Sequence, residues 1–268
     1  MPSMLRNFRI LVLLMILFGI AFSMWREKVR IQEWTSTVHV AVFPINADGS
    51  AAAQEYINSL NAKSFTPLDN FVQEEARRYG LSLLWPVTVT FGPVMQTLPP
   101  PFPTEQSLLN NVAWSLKLRW WSWRNTPEAK IPPTIRLYLL YFDPENLERV
   151  PDSVGLERGR IGIIHLYASK RQTSSNHVVT MHELMHTLGA TDKYNLFDNQ
   201  PVFPLGYGEP EKNPRYPQHF AEIMGGRIAL SPTQSRIPIS LHETLIGPLT
   251  AAEIGWYGKG DYGSYLTR

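Results

Sequence analysis

Met181-His182-Glu183-Leu184-Met185-His186-Thr187-Leu188-Gly189-Ala190-Thr191-Asp192 is the stretch from which the rest of the chain is interpreted. His182 and His186 are four residues apart, so on an α-helix both imidazoles project from one face and can bind a single metal ion. Glu183 lies about 100° further round the helix. Its carboxylate is therefore placed to bond a water at the metal, but badly placed to be a third ligand. The stretch predicts a metal-binding helix.

The end of this helix supplies the third ligand in our prediction. Gly189 tolerates the positive φ at which helices end sharply, and the turn after it can bring Asp192 over the two histidines. Three protein ligands with a fourth position open are typical of catalytic zinc. The alternative is a helix that carries two histidines by coincidence, and if Asp192 fails as a ligand, the replacements are His219, Glu209 and Glu222.

The composition limits the chemistry that is available. With 268 residues, of which 44% are hydrophobic and 18% charged, the chain is long enough for one substantial domain and a short appendage. The net charge is only +2 and no block of Lys and Arg is present, so we expect no nucleic-acid partner. Because there is no cysteine, any metal must be held by His, Asp or Glu.

The appendage is an apolar N-terminal segment, Ile10 to Trp25, which carries no charge and has arginines on both sides. Its length, about 16 to 18 residues, is short for a membrane-spanning helix and long for a signal-peptide core. Ala21 and Ser23 would allow cleavage, whereas Trp25 is typical of an interfacial anchor. We favour an uncleaved anchor at 1–30, a linker at 31–37 and an extracytoplasmic domain at 38–268, which would be secreted if the segment is cleaved.

Strand and helix patterns alternate along the domain, which predicts a mixed α/β sheet with helices packed on it. Strands are expected at 38–45, 86–91, 134–142 and 161–168, and helices at 51–62, 68–79 and from Thr104 to about Trp123. The metal helix should begin near Ser174, Ser175 or Asn176, and 143–160 reads as a charged loop. Thr250-Ala251-Ala252-Glu253 resembles a capping box that opens a last helix.

Two other features have competing interpretations. The segment Arg119-Trp120-Trp121-Ser122-Trp123-Arg124 ends the predicted third helix and either packs under the sheet, which we favour, or contacts membrane headgroups. His165 lies on a predicted strand and is expected to be packed or solvated rather than a ligand, because three ligands are already supplied.

His182-Glu183-x-x-His186-x-x-Gly189-x-x-Asp192 resembles the extended zinc signature of the metzincin metallopeptidases, with Asp where most of them have a third His, as in the snapalysin-type proteases. Ala221-Glu222-Ile223-Met224-Gly225-Gly226 is similar to the Met-turn of that clan, with Met224 beneath the metal. The resemblance covers less than a tenth of the chain. Aspartate as third ligand also suits metals harder than zinc, which leaves the identity of the metal open.

This resemblance implies a metzincin-like fold. An upper subdomain at 38–190 would have a twisted mixed sheet and the HExxH helix, and would meet a smaller, irregular lower subdomain at 191–268 across a cleft. Ile161 to Ala168 is the expected edge strand, pairing with a bound peptide through main-chain hydrogen bonds. Tyr194 is a candidate for assisting the oxyanion, although a structural role is favoured.

The function implied is hydrolysis of peptide bonds in a protein or peptide substrate by a zinc-activated water, with Glu183 as general base. Two alternatives remain. One is a membrane-anchored protein that binds metal or peptide without catalysis, against which the presence of Glu183 argues. The other is a zinc amidase that acts on a non-peptide amide.

Overall fold

A computed structural model describes residues 7–12, 14–15, 18–19, 22 and 32–256, except 104, 106, 130 and 158. Half of the predicted anchor segment, Ile10 to Trp25, lies outside these residues, as does Thr104, the predicted cap of the third helix. None of the helices in the described ranges is long and apolar enough to cross a bilayer. The anchor and the extracytoplasmic location therefore stay predictions.

The domain is built on a five-stranded mixed sheet with the order β2-β1-β3-β5-β4. Four strands are parallel, and only β4, at one edge, runs antiparallel to its neighbour. Nearly every residue of β1 and β3 is buried, because helices cover both faces of the sheet, as is usual for parallel strands. The bounds are β1 Val38–Asn46, β2 Val87–Phe91, β3 Ile135–Phe142, β4 Val154–Leu156 and β5 Ile161–Tyr167.

Three helices cover one face of the sheet and a single helix covers the other. On the first face the apolar sides of α1, α2 and α4 form the larger core cluster, and on the second α3 packs through Trp114, Leu118 and Trp121. The bounds are α1 Ala51–Ser59, α2 Thr66–Arg78, α3 Leu108–Asn125, α4 Thr173–Leu188 and α5 Pro248–Glu253, with 3-10 turns at Ala62–Phe65, Lys170–Gln172 and Leu241–Glu243.

The segment after α4 has little regular structure. Besides the 3-10 turn Leu241–Glu243 it contains the two-residue strands β6 Ala221–Glu222, β7 Ile228–Ala229, β8 Ser235–Arg236 and β9 Thr244–Leu245 before the short α5. The prediction of a mixed α/β fold is confirmed at this level. Trp34, which we assigned to the linker, is buried against Trp256 and donates a hydrogen bond from Nε1 to the Ile254 carbonyl at 2.7 Å.

The predicted edge strand is wrong. Ile161–Tyr167 pairs with β3 on one side and with β4 on the other, so the edge is Val154–Leu156, inside the segment that we interpreted as a loop. Three residues with a glycine in the middle are too few to show the alternation of a strand.

The metal helix starts one residue earlier than predicted, at Thr173, because a 3-10 turn capped by Ser169 leads directly into it. The Trp-rich end of α3 is buried only in part. Trp121 packs under the sheet as expected, whereas the side chains of Trp120 and Trp123 are exposed.

Candidate metal centre

The side chains of His182, His186 and Asp192 meet at one point. Nε2 of His182 and Nε2 of His186 are 3.1 Å apart, and Oδ1 of Asp192 lies 3.1 Å from the first and 3.2 Å from the second. The three atoms form a nearly equilateral triangle. This is the one group of His, Asp and Glu side chains among the described residues that is compact enough to hold a metal ion.

Both imidazoles are oriented by backbone carbonyls. Nδ1 of His182 lies 2.9 Å from the carbonyl oxygen of Ile223, and Nδ1 of His186 lies 2.9 Å from that of Ala190. A carbonyl oxygen only accepts, so each Nδ1 carries the proton and donates it. Each Nε2 is therefore left with a lone pair, which is the tautomer that binds a metal.

The size of the triangle fits zinc. With Zn–N and Zn–O bonds of about 2.0–2.1 Å and tetrahedral angles, neighbouring ligand atoms are about 3.3–3.4 Å apart. The observed edges of 3.1–3.2 Å lie close to this spacing. Two neutral imidazoles and one carboxylate also form a donor set that zinc accepts, with one side of the ion open.

Asp192 reaches the histidines because α4 ends abruptly. Gly189 adopts the left-handed conformation at φ 110°, where a Cβ would be strained, and the N–H of Ala190 donates to the Met185 carbonyl at 3.0 Å. The prediction that Gly189 ends the helix and lets Asp192 return over the histidines is confirmed in its geometry.

The residues on either side of Asp192 are held by a carboxylate from α5. Glu253 accepts from the backbone N–H of Thr191 at 3.0 Å and from its hydroxyl at 2.6 Å. The buried ammonium of Lys193 donates to Glu253 at 2.7 Å, and its backbone N–H donates to the Met224 carbonyl at 2.9 Å. The loop that carries Asp192 is therefore fixed on both sides of the ligand.

Glu183 lies beneath the edge strand and is only 6% exposed. The edge strand lies against its carboxylate at Gly155, where a Cβ would be 3.1 Å from Oε2, and Oε2 has no hydrogen-bond partner among the described residues. Burial raises the pKa of Glu183, although the neighbouring His182 and His186 lower it. A buried carboxylate with a free oxygen and a raised pKa suits a general base.

A glycine on β4 makes this arrangement possible. A Cβ on Gly155 would lie 2.5 Å from the Glu183 carbonyl oxygen and 2.7 Å from Cβ of His186. Only a residue without a side chain allows the edge strand to lie this close to the metal helix.

The predicted Met-turn contacts His182 through the carbonyl of Ile223. Met224 is fully buried, and the preceding residue, Ile223, supplies the carbonyl that orients His182. Glu222, also fully buried, organises the turn by accepting from the N–H groups of Met224, Gly225 and Gly247 and from the Thr250 hydroxyl, at 2.6–2.9 Å. All four bonds are internal, so Glu222 is not a substitute ligand.

The other predicted candidates lie elsewhere. His219 and Glu209 pair with each other at the surface, with Nδ1 of the histidine 3.1 Å from the carboxylate. His165 is outside the triangle, and its Nδ1 is buried without a hydrogen-bond partner among the described residues. Tyr194 does approach the site: its ring centroid lies 6.3 Å from that of His182, and burial together with the nearby charge of Asp192 raises the pKa of its hydroxyl.

Within the triangle, the carboxylate of Asp192 and the two imidazoles shift one another's pKa values. Burial lowers the pKa of His182, but its hydrogen bond to Asp192 and the negative charge of Glu183 outweigh burial and raise it above 6.5. Burial raises the pKa of Asp192, yet its bonds to His182 and His186 hold it well below 3.8. A bound cation would replace the proton that the histidines and Asp192 share.

Sequence reasoning missed Gly155, Lys193 and the role of Glu253. The capping-box interpretation of Thr250 and Glu253 is wrong: α5 begins at Pro248 after Gly247, and both polar side chains bond other segments of the chain. A Gly-Pro pair is itself a helix-start signal, because proline at the first turn loses no hydrogen bond.

Comparisons with known proteins do not identify the chain. No protein-family model matches it, and no curated protein is found to be similar to it.

Proposed function

We propose that this chain is a zinc-dependent peptidase of metzincin type. The observation that carries the proposal is the triangle of His182, His186 and Asp192 with a buried carboxylate, Glu183, beside it. A purely structural zinc site uses four protein ligands and needs no such carboxylate. Three ligands and a neighbouring base are the arrangement expected of a hydrolase.

Each residue has a role in the proposed reaction. A zinc ion bound at the triangle supplies Lewis-acid chemistry, acidifying water and polarising a carbonyl. Glu183 takes a proton from the attacking water as the new C–O bond forms, and gives it to the leaving amine as the C–N bond breaks. The carbonyls of Ile223 and Ala190 hold both imidazoles in the metal-binding tautomer throughout.

The edge strand supports a peptide substrate. Among the described residues β4 pairs on one side only, so its other side presents backbone N–H and C=O groups to which an extended peptide can add as a further strand. Gly155 of this strand lies against Glu183, so a peptide bound there lies next to the proposed base. An antiparallel edge strand beside the HExxH helix, the Gly189 turn and the buried Met224 all agree with the metzincin resemblance.

The test compares Glu183→Gln with the wild-type full chain. Both should bind about one zinc per chain, because Glu183 is not among the three ligands. Cleavage of an unstructured protein should fall by about 10³-fold or more in the variant. Glu209→Gln, which alters only the surface pair with His219, is the matched control and should keep full activity. Undiminished cleavage by Glu183→Gln would overturn the mechanism.

The same measurements separate the alternatives. A binding protein without catalysis would hold zinc and show no cleavage in wild type either. An amidase would leave peptides intact and release amine from a non-peptide amide such as cell-wall material. The free edge of β4 favours the peptidase, because it offers the main-chain pairing that an extended peptide uses. We expect the predicted anchor to hold this activity at a membrane, on its extracytoplasmic side.

A further inference from the structure

Helix α3 has two apolar faces, and only one of them is covered. Trp114, Leu118 and Trp121 are buried against the sheet. On the other side the side chains of Leu109 and Trp123 are 80% and 78% exposed, which is unusual for residues of this size. The exposed apolar residues are Leu108, Leu109, Val112, Leu116, Trp120 and Trp123, which together we call the outer stripe.

The outer stripe is interrupted only by Arg119, which falls within the same arc and lies against Gly159. At about 100° per residue, its six positions fall within an arc of about 120° that runs the length of the helix. Apolar side chains in the segments on either side of α3, Leu98, Phe102 and Ile131, are exposed as well. A coherent face of this kind on an otherwise packed helix marks an interaction surface.

The charges of α3 indicate the chemistry of the partner. Its sequence contains Lys117, Arg119 and Arg124 and neither Asp nor Glu. Lys117 and Arg124 are exposed and border the outer stripe on one side. Tryptophan beside cationic side chains on a helix that lies flat is typical of binding at the headgroup level of an anionic bilayer.

These charges also argue against a second copy of the chain. A symmetric dimer through the outer stripe would place one cationic helix against another, with no carboxylate on either α3 to compensate. A bilayer with anionic lipids supplies both the apolar interior and the negative charge that the stripe and its border require.

We propose that the outer stripe of α3 docks on the surface of an anionic lipid bilayer. The helix lies on the membrane and does not cross it, in keeping with the absence of a spanning helix from the described residues. α3 covers the sheet face opposite to α4, so docking leaves the triangle of His182, His186 and Asp192 on the far side of the sheet from the lipid. The inference is independent of the proposed peptidase activity.

The absence of cysteine makes a site-specific test possible. Leu116→Cys carries an environment-sensitive fluorophore on the outer stripe, and Asn58→Cys carries it on an exposed position of α1, on the other face of the sheet. Both full-length proteins are reconstituted into vesicles of phosphatidylcholine alone, or with added phosphatidylglycerol, each containing lipid-borne quencher.

We expect a blue shift and quenching of the label at position 116 on the anionic vesicles, and neither at position 58. Both effects should be lost at about 1 M salt, where the Debye length is about 3 Å, and reduced when Lys117→Gln and Arg124→Gln are added. A label at position 116 that stays in water on anionic vesicles would overturn the proposal. Equal burial of the label at position 116 on both kinds of vesicle would also overturn it, because charge would then play no role. Burial of this label that rises with protein density at fixed lipid would overturn it too, because the outer stripe would then contact a second copy of the chain.

Discussion

Glu253 holds the residue that precedes Asp192: its carboxylate accepts the Thr191 backbone N–H at 3.0 Å and the Thr191 hydroxyl at 2.6 Å, across 62 positions of sequence. The loop that carries Asp192, the proposed third ligand, is thus anchored to the last helix of the described chain.

Removing the charge of Glu253 should weaken the metal site without unfolding the protein. Glu253→Gln loses the ion pair with Lys193 and weakens the hydrogen bonds to Thr191. The affinity for zinc should therefore fall about 10- to 100-fold. Competition with a chromogenic chelator measures the change. Glu243→Gln, which breaks a bidentate pair with Arg236, is the control. An equal loss of affinity there would show that the effect follows general stability instead.

The ion pair between His182 and Asp192 makes the metal-free protein sensitive to pH. The folded-state pKa of His182 is raised above 6.5, so its contribution to stability is present below that pH and is lost as the pH rises through the raised value. The folded-state pKa of Asp192 is lowered below 3.8. The contribution of Asp192 to stability is therefore lost only as the pH falls from 3.8 through the lowered pKa.

The free energy of unfolding, measured with chelator present, should therefore differ most between wild type and Asp192→Asn at about pH 4 to 6.5. The difference should shrink above this window. A difference that stays constant up to pH 9 would contradict the assigned pairing.

Gly155→Ala should damage the site as well as the fold. The new methyl group would press on the Glu183 carbonyl and on Cβ of His186, so β4 must move away, at a cost of about 1–3 kcal/mol in stability. Its register partner gives the control, because Gly162→Ala meets only Cδ2 of Leu137, the end of a flexible side chain. Both variants should be less stable, but only Gly155→Ala should lose kcat at saturating zinc. Equal kcat in the two variants would contradict a role for the close approach of β4.

Glu222→Gln should destabilise the domain strongly. Its carboxylate accepts three backbone N–H groups and one hydroxyl in a fully buried position, and the amide of Gln places a donor against donors. We expect a loss of about 3 kcal/mol, seen as a lower urea midpoint with an unchanged m value. Glu209→Gln should change stability by less than about 0.5 kcal/mol. A free energy of unfolding for Glu222→Gln equal to that of the wild type would mean that these hydrogen bonds contribute little to stability.

Tyr194→Phe distinguishes two roles for this tyrosine. Burial and the charges of Asp192 and Glu183 raise the pKa of Tyr194 to about 12, so its hydroxyl stays protonated at neutral pH beside Asp192. If Tyr194 orients the Asp192 carboxylate, Tyr194→Phe should lower the affinity for zinc about 10-fold and leave kcat at saturating zinc nearly unchanged. A fall in kcat of about 10²- to 10³-fold would assign it to the oxyanion instead.

The sequence predicts the elements whose pattern is strong. Ile135–Phe142 and Val38–Asn46 are long apolar runs, and both are central strands. The sequence pattern does not predict an element that is very short, or one whose conformation is determined by tertiary contacts. β4 has only three residues, with Gly155 at its centre, so no alternation reveals it.

The same division applies to the site. His182, His186 and Asp192 come together because local rules suffice, namely the helical spacing and the left-handed turn at Gly189. Glu253 and Lys193 contribute through contacts between distant segments, which no local spacing encodes. That zinc is the metal, and that the centre cleaves peptides, stay predictions.

The position of α5 in the chain also determines when the site becomes complete. Pro248–Glu253 closes the described fold, and from it Glu253 secures the loop of Asp192 while Thr250 bonds the carboxylate that shapes the turn beside His182. A ribosome makes these residues about 60 positions after the histidines and Asp192. The nascent chain therefore lacks these contacts to the Asp192 loop and to the turn beside His182 until residue 253 has been synthesised.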